Sequence, residues 1–88
     1  MQLPTTIGHL SELQELDLRN NKLAELPDTL GNATNLVHVD LRGNKLRSLP
    51  TCIANLSKLK KLDLRWNKLT NAPKWLEALE QRGCRVLR

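Results

Sequence analysis

Eighty-eight residues with 14 Lys/Arg against 9 Asp/Glu, a net charge of +5, make at most one small domain. Two Trp with neither Phe nor Tyr argue against a compact globule with a wide centre, so the core must come from short aliphatic side chains. No run approaches the roughly 20 apolar residues of a membrane helix, and Met1-Gln2-Leu3-Pro4 lacks the basic, apolar character of a signal peptide, so a soluble cytoplasmic protein or an excerpt of a longer chain is expected.

Along the chain, a Leu3-Pro4 step leads through Ile7 and Leu10 to the segment Leu13-Gln14-Glu15-Leu16-Asp17-Leu18-Arg19-Asn20-Asn21-Lys22-Leu23. The same pattern, Leu-x-x-Leu/Val-Asp-Leu-Arg-x-Asn-Lys-Leu, returns from Leu36 to Leu46 and from Leu59 to Leu69, displaced by 23 residues each time. Leu26-Pro27, Leu49-Pro50 and Ala72-Pro73 keep the phase of Leu3-Pro4, as Leu30, Ile53 and Leu76 keep that of Ile7. This divides one domain, 1–88, into units 3–25, 26–48 and 49–71 and a degenerate fourth, 72–88. A constant period marks an architecture in which each unit packs only on its neighbours.

Within each unit, alternation in Glu15-Leu16-Asp17-Leu18 predicts a short strand with the leucines inward and Glu15, Asp17 and Arg19 outward. Strands of successive units run the same way around each turn and must be parallel, with a crossover of a dozen or so residues between them. Proline opens the crossover, where its preset φ suits a short helical or 3₁₀ segment. Ile7/Leu10, Leu30/Ala33 and Ile53/Leu56 are expected to turn inward there. Asn21, Asn44 and Asn67 follow the strands, where a sharp buried bend leaves backbone groups unpaired. An amide can serve both donors and acceptors and link one rung to the next as a ladder.

At the C-terminus, Asn71-Ala72-Pro73 is expected to open a helix running to Arg82, with Leu76 and Leu79 on one face and Gly83 as its C′ residue. Cys84-Arg85-Val86-Leu87 then adds a last strand, with the register slipping by about one residue so that Cys84 and Val86 point inward. At the other end the strand near 14–18 forms a bare edge. Such an edge invites pairing, so further repeats upstream or self-association of two copies is expected there.

The LxxLxLxxNxL core with a flanking LPxxIxxL segment resembles the leucine-rich repeat family over nearly the whole chain. The longer LPxxIGxLxxLxxLDLRxNKLxxLP pattern is similar to the intracellular group that includes Ras-pathway scaffolds, and to many bacterial proteins. The resemblance implies an α/β solenoid: a short right-handed coil with a parallel concave sheet of about four strands, helical or 3₁₀ convex segments and a C-terminal capping helix. It also implies protein binding. A small GTPase or other signalling protein, or a host protein if the chain is a bacterial effector, is the partner class it suggests.

Outward positions stack into columns about 4.8 Å apart. Asp17, Asp40 and Asp63 form one and Arg19, Arg42 and Arg65 its neighbour; together they read either as a self-neutralising network, worth ~0–1 kcal/mol per exposed pair, or as a row of charges presented to a partner. Columns that vary are more informative: Glu15, His38, Lys61; Gln14, Val37, Lys60; and Asn20, Gly43, Trp66. Trp66 is the sharpest candidate anchor, against a reading in which it packs over the last rung. Trp75 belongs to the cap, and His38 is a surface histidine by default. The charge follows the same gradient: residues 1–48 hold five Lys/Arg and six Asp/Glu, and residues 49–88 hold nine and three.

No Ser/His/Asp or Cys/His arrangement, glycine-rich phosphate loop or metal-ligand spacing is present, so neither catalysis nor a cofactor is expected. Cys52 and Cys84 sit at unrelated phases and are expected as free thiols, and His9 and His38 form no zinc set with them. The leading function is a non-enzymatic protein-binding module using the concave face through Trp66, Lys61, Arg65, Asp63, Arg42, Asp40, His38 and Arg19. The alternatives are the targeting segment of a larger signalling enzyme or bacterial effector, such as a kinase or ubiquitin ligase, and, less favoured, nucleic-acid binding through the basic half.

Overall fold

The computed structural model describes residues 3–70 and 72–88. Strands β1 (Glu15–Asp17), β2 (His38–Asp40), β3 (Lys61–Asp63) and β4 (Arg85–Leu87) form one parallel sheet in sequential order. Three 3₁₀ segments, Thr5–His9, Asp28–Asn32 and Thr51–Asn55, line the opposite side, and a seven-residue helix α1 (Trp75–Gln81) closes the stack. The expected α/β solenoid is the fold.

Each convex segment starts the same way. Pro4, Pro27 and Pro50 sit at the N-cap in extended geometry, with φ of −67°, −72° and −69°. Their carbonyls accept from the N–H of Ile7, Leu30 and Ile53, three residues on, and Pro73 does the same for Leu76. Proline has no N–H to lose at this place, and its ring holds φ where the turn needs it. Gly8 and Gly31 allow successive segments to touch. A Cβ on Gly8 would stand 2.4 Å from the Thr29 carbonyl oxygen, and one on Gly31 2.6 Å from Cys52 Cβ.

Between the two sides the aliphatic layers pile up. Leu30, Leu36, Leu41, Leu46, Leu56, Leu62 and Leu76 are fully buried in one cluster that extends from Ile7 to Cys84. The first rung is less covered: Leu13, Leu16 and Leu18 are half-buried, whereas Leu36, Val39 and Leu41 in the second are closed off. Leu10, expected inward, is 47% exposed, unlike its counterparts Ala33 and Leu56. It lies on the outer side of the first rung, where no described rung covers it.

The register advances by 23 residues from Glu15 to His38 and on to Lys61, then by one more to Arg85. That extra residue puts Val86 opposite Leu62 and turns Arg85 outward. Helix α1 is shorter than expected, beginning at Trp75. Asn71, the expected opening residue, lies outside the described residues, and the Pro73 carbonyl ties the approach into a turn on Leu76. It ends as a Schellman motif: Gly83 at φ +94° donates its N–H to Glu80, and Cys84 donates to Leu79. Arg82 reaches back to donate to the Leu56 carbonyl, fastening the helix to the third rung. Both cysteines are free thiols, Cys84 buried and Cys52 half-buried. Burial pushes both thiols up from their ordinary pKa.

Candidate functional site

Outward side chains of the strands form the concave face, and the pairing fixes their rows. Glu15, His38, Lys61 and Arg85 make one row; Asp17, Asp40, Asp63 and Leu87 make the next. Arg19, Arg42 and Arg65 come two residues after the aspartates.

Each of these three arginines folds back on the aspartate of its own rung. The Arg19 guanidinium donates to Asp17 at 3.0 and 2.9 Å, Arg42 to Asp40 at 3.0 and 2.7 Å, and Arg65 to Asp63 at 3.0 and 2.8 Å. The arginine backbone N–H donates to the same carboxylate at 3.2 Å in each rung. Rungs are then joined, with Arg19 Nε 3.7 Å from Asp40 and Arg42 Nε 3.3 Å from Asp63. These guanidinium hydrogen bonds hold all three carboxyls below the ordinary aspartate range and push the arginines further up.

Coverage of the aspartates rises along the stack, with side-chain exposures of 57%, 26% and 1% for Asp17, Asp40 and Asp63. Asp63, whose outward strand position predicts exposure on the binding face, is instead closed off from solvent. Arg42 and Arg65 close over it, and it supports the face from beneath. Arg19, Arg42 and Arg65 stay open at 51%, 26% and 41%. His38 and Lys61 are exposed, and a His38 ring nitrogen lies 3.4 Å from the Glu15 carboxylate.

Below this row the asparagines connect the rungs. The Asn44 side-chain oxygen accepts from the N–H of Asn21 and of Leu23, both at 3.0 Å, and its nitrogen donates to Leu18 and Leu41 at 2.9 Å. Asn67 repeats this one rung on, accepting from Leu46 and donating to Leu41 and Leu64. Asn21 donates to its own-rung Arg19 carbonyl. The ladder thus runs from side chain to backbone and stiffens the bend that carries the arginines.

Trp66 is 72% exposed and borders a shallow cleft with Leu64, Asn67, Leu69, Leu76 and Arg88 at the last rung and cap. Its φ is +61°, and the same column holds Asn20 at +57° and Gly43 at +69°. Asn and Gly tolerate this left-handed region, whereas a bulky side chain there carries strain. The Arg65 guanidinium lies 5.7 Å from the ring centroid, within cation–π reach. Trp75 is half-buried against the core, as expected of a cap residue. Arg85 escaped the sequence-based site; the one-residue slip, once taken literally, puts it beside Lys61.

At the centre of the face lies a shallow depression of about 240 Å³, lined by Glu15, His38, Asp40 and Lys61 among others. That is below the range of small-molecule pockets, ~300–1,000 Å³. Among the described residues no group of His, Cys, Asp and Glu could hold a metal ion, and no helix is long and apolar enough to cross a membrane.

Known proteins match this arrangement. A family model for a leucine-rich repeat region aligns with residues 1–87. A solved leucine-rich repeat protein of Leptospira interrogans superposes with a TM-score of 0.83 at 34% identity, covering 98% of this chain and 22% of that one. The chain thus spans about a fifth of the length of that relative. No curated protein matches significantly.

Proposed function

The chain belongs to the leucine-rich repeat family, generally a protein-interaction module, and from that premise we propose that its concave face binds a protein partner without catalysis. Trp66 carries this reading: a tryptophan largely in water, on left-handed backbone that disfavours a bulky side chain, offers a large amphipathic ring of the kind that anchors interfaces. Arg19, Arg42, Arg65, Lys61 and His38 would share the contact, with Asp40 at its partly covered edge. The sheet beneath is cross-linked by the asparagines, so little ordering is needed on binding. The shallow face suits a protein surface better than a small molecule. A cytoplasmic signalling role with a small GTPase, or a host protein for a bacterial effector, is the partner class favoured by resemblance.

A second reading, the recognition segment of a larger kinase, ubiquitin ligase or effector, draws support from the chain's spanning only 22% of its solved relative. Self-association through β1 is a third element of the proposal, supported by its place at the sheet edge and the half-buried Leu16 and Leu18. Affinity capture from cell extract with paired variants tests the main reading. A partner bound by wild type and by the convex variant Thr51→Glu, on the exposed face of the third 3₁₀ segment, but lost with Trp66→Ala plus Lys61→Glu, is expected. A partner lost only with convex substitutions would contradict it.

A further inference from the structure

Each arginine of the concave network serves two carboxylates except the last. Arg19 holds Asp17 and reaches Asp40; Arg42 holds Asp40 and reaches Asp63. Arg65 holds Asp63 in the same manner, but the residue across the sheet from Asp63 on β4 is Leu87. Among the described residues Arg65 pairs with no second carboxylate. Around it the positive charge is uncompensated: Lys61 and Arg85 are directly paired across β3 and β4, both exposed, and neither is in an ion pair among the described residues. The strained, exposed Trp66 adjoins Arg65.

We infer that the C-terminal end of the concave face docks an acidic polypeptide segment, whose Asp or Glu carboxylate takes on Arg65 the place that Asp40 and Asp63 take on Arg19 and Arg42, with a neighbouring side chain lying on Trp66. The inference rests on the concave face being the binding face and adds the partner's chemistry and its place on that face.

Three observations converge on this occupant. The network itself shows the ligand that fits: in both earlier rungs a carboxylate of the next rung sits within 3.7 Å of the arginine Nε, sharing that nitrogen with the own-rung aspartate. Lys61 and Arg85 offer a second acidic residue a counter-charge on the adjacent outward row. Trp66 supplies apolar area beside the charge, the pairing of aromatic and arginine that dominates protein interfaces. A nucleic acid fits less well, because sequence-independent strand binding uses several stacked aromatics, and the chain has only Trp66 and Trp75, the latter in the cap.

The test is selection from a displayed random peptide library on the intact chain, followed by fluorescence anisotropy with the enriched peptide. Enrichment of acidic residues next to an apolar or aromatic one is expected. Replacing those acids by Asn or Gln should weaken binding at least tenfold, as should Arg65→Gln. Because Arg65→Gln also loosens Asp63, Arg85→Glu and Trp66→Asn are read alongside, with the same tenfold loss expected and no drop in melting temperature. Thr51→Glu on the convex side should leave affinity unchanged. Enriched peptides lacking acids, or acidic peptides indifferent to Arg65→Gln and Arg85→Glu but weakened by His38→Ala or Arg19→Gln, would overturn the acidic dock while leaving concave binding intact. Peptides weakened only by Thr51→Glu, or no enrichment, would overturn both. Equal displacement of the peptide by a single-stranded oligonucleotide would replace the acidic protein segment by a generic polyanion.

Discussion

Arg42 Nε lies 3.3 Å from the Asp63 carboxylate one rung along, while Arg65 grips that same carboxylate from its own strand at 2.8 Å. A buried acid held between two guanidiniums turns the aspartate row into a fastening between rungs. The charge left exposed among these three groups is that of the arginines.

This arrangement makes stability depend on acid. The folded carboxyls of Asp17, Asp40 and Asp63 titrate below their unfolded values near 4. As pH falls the unfolded chain therefore takes up protons first. The stabilisation is fully present above roughly pH 4–5 and is lost as pH drops through the depressed folded values. Denaturant melts at pH 7, 5 and 3 should show a level upper range and a steep acid limb. Asp63→Asn should cost about 1–3 kcal/mol at pH 7 and flatten that limb; an unchanged limb would show that Asp63 is not its source.

The asparagine ladder predicts an unequal series. Asn44 is buried and bonds to backbone groups of its own rung and the preceding one. Asn44→Ala should destabilise by about 2–3 kcal/mol by leaving those groups unpaired. Half-buried Asn21, which donates to its own rung, should cost under about 1 kcal/mol when cut to Ala. Equal losses in urea melts would argue against a ladder that is anchored through Asn44.

On the convex side, Gly31→Ala would place a Cβ 2.6 Å from Cys52 Cβ and 3.1 Å from the Cys52 carbonyl oxygen. The two 3₁₀ segments must then part, at about 1–3 kcal/mol. Cys52→Ala retains the clashing atom and should not rescue the variant, whereas Cys52→Gly should recover part of the loss. Thermal melts of the three variants discriminate.

Trp66→Asn is expected to separate stability from binding. Asn already occupies this column at Asn20 with φ +57°. The exchange should raise stability by up to about 1 kcal/mol through relief of backbone strain, offset in part by the lost contact with Arg65. A clear drop in melting temperature would mean that the ring stabilises the last rung after all.

Much of this architecture was legible because one spacing governs it. The 23-residue period put β1, β2 and β3 on the segments that alternate, and the buried bend after each strand explained an amide at Asn44 and Asn67. Graded features were harder to see. Asp17 and Asp63 are identical in the pattern, and only the neighbouring arginines decide that one is exposed and the other closed off. Leu10 matched Ala33 and Leu56 by phase, but which side of a rung is covered depends on the stack rather than on the rung. The left-handed backbone at Trp66 did have a signal, since Asn20 and Gly43 in the same column are the residue types that this geometry favours. The consequence of the register slip, Arg85 beside Lys61, required the pairing itself.

The most direct measurement is a chemical-shift footprint: the ¹⁵N-labelled chain titrated with its selected peptide, following backbone amides, the Trp66 indole N–H and the Arg65 Nε–H. The largest changes should fall on Lys61, Arg65, Trp66 and Arg85, with the 3₁₀ segments Asp28–Asn32 and Thr51–Asn55 unmoved. A footprint centred on those convex segments, with the Trp66 indole unshifted, would contradict the account.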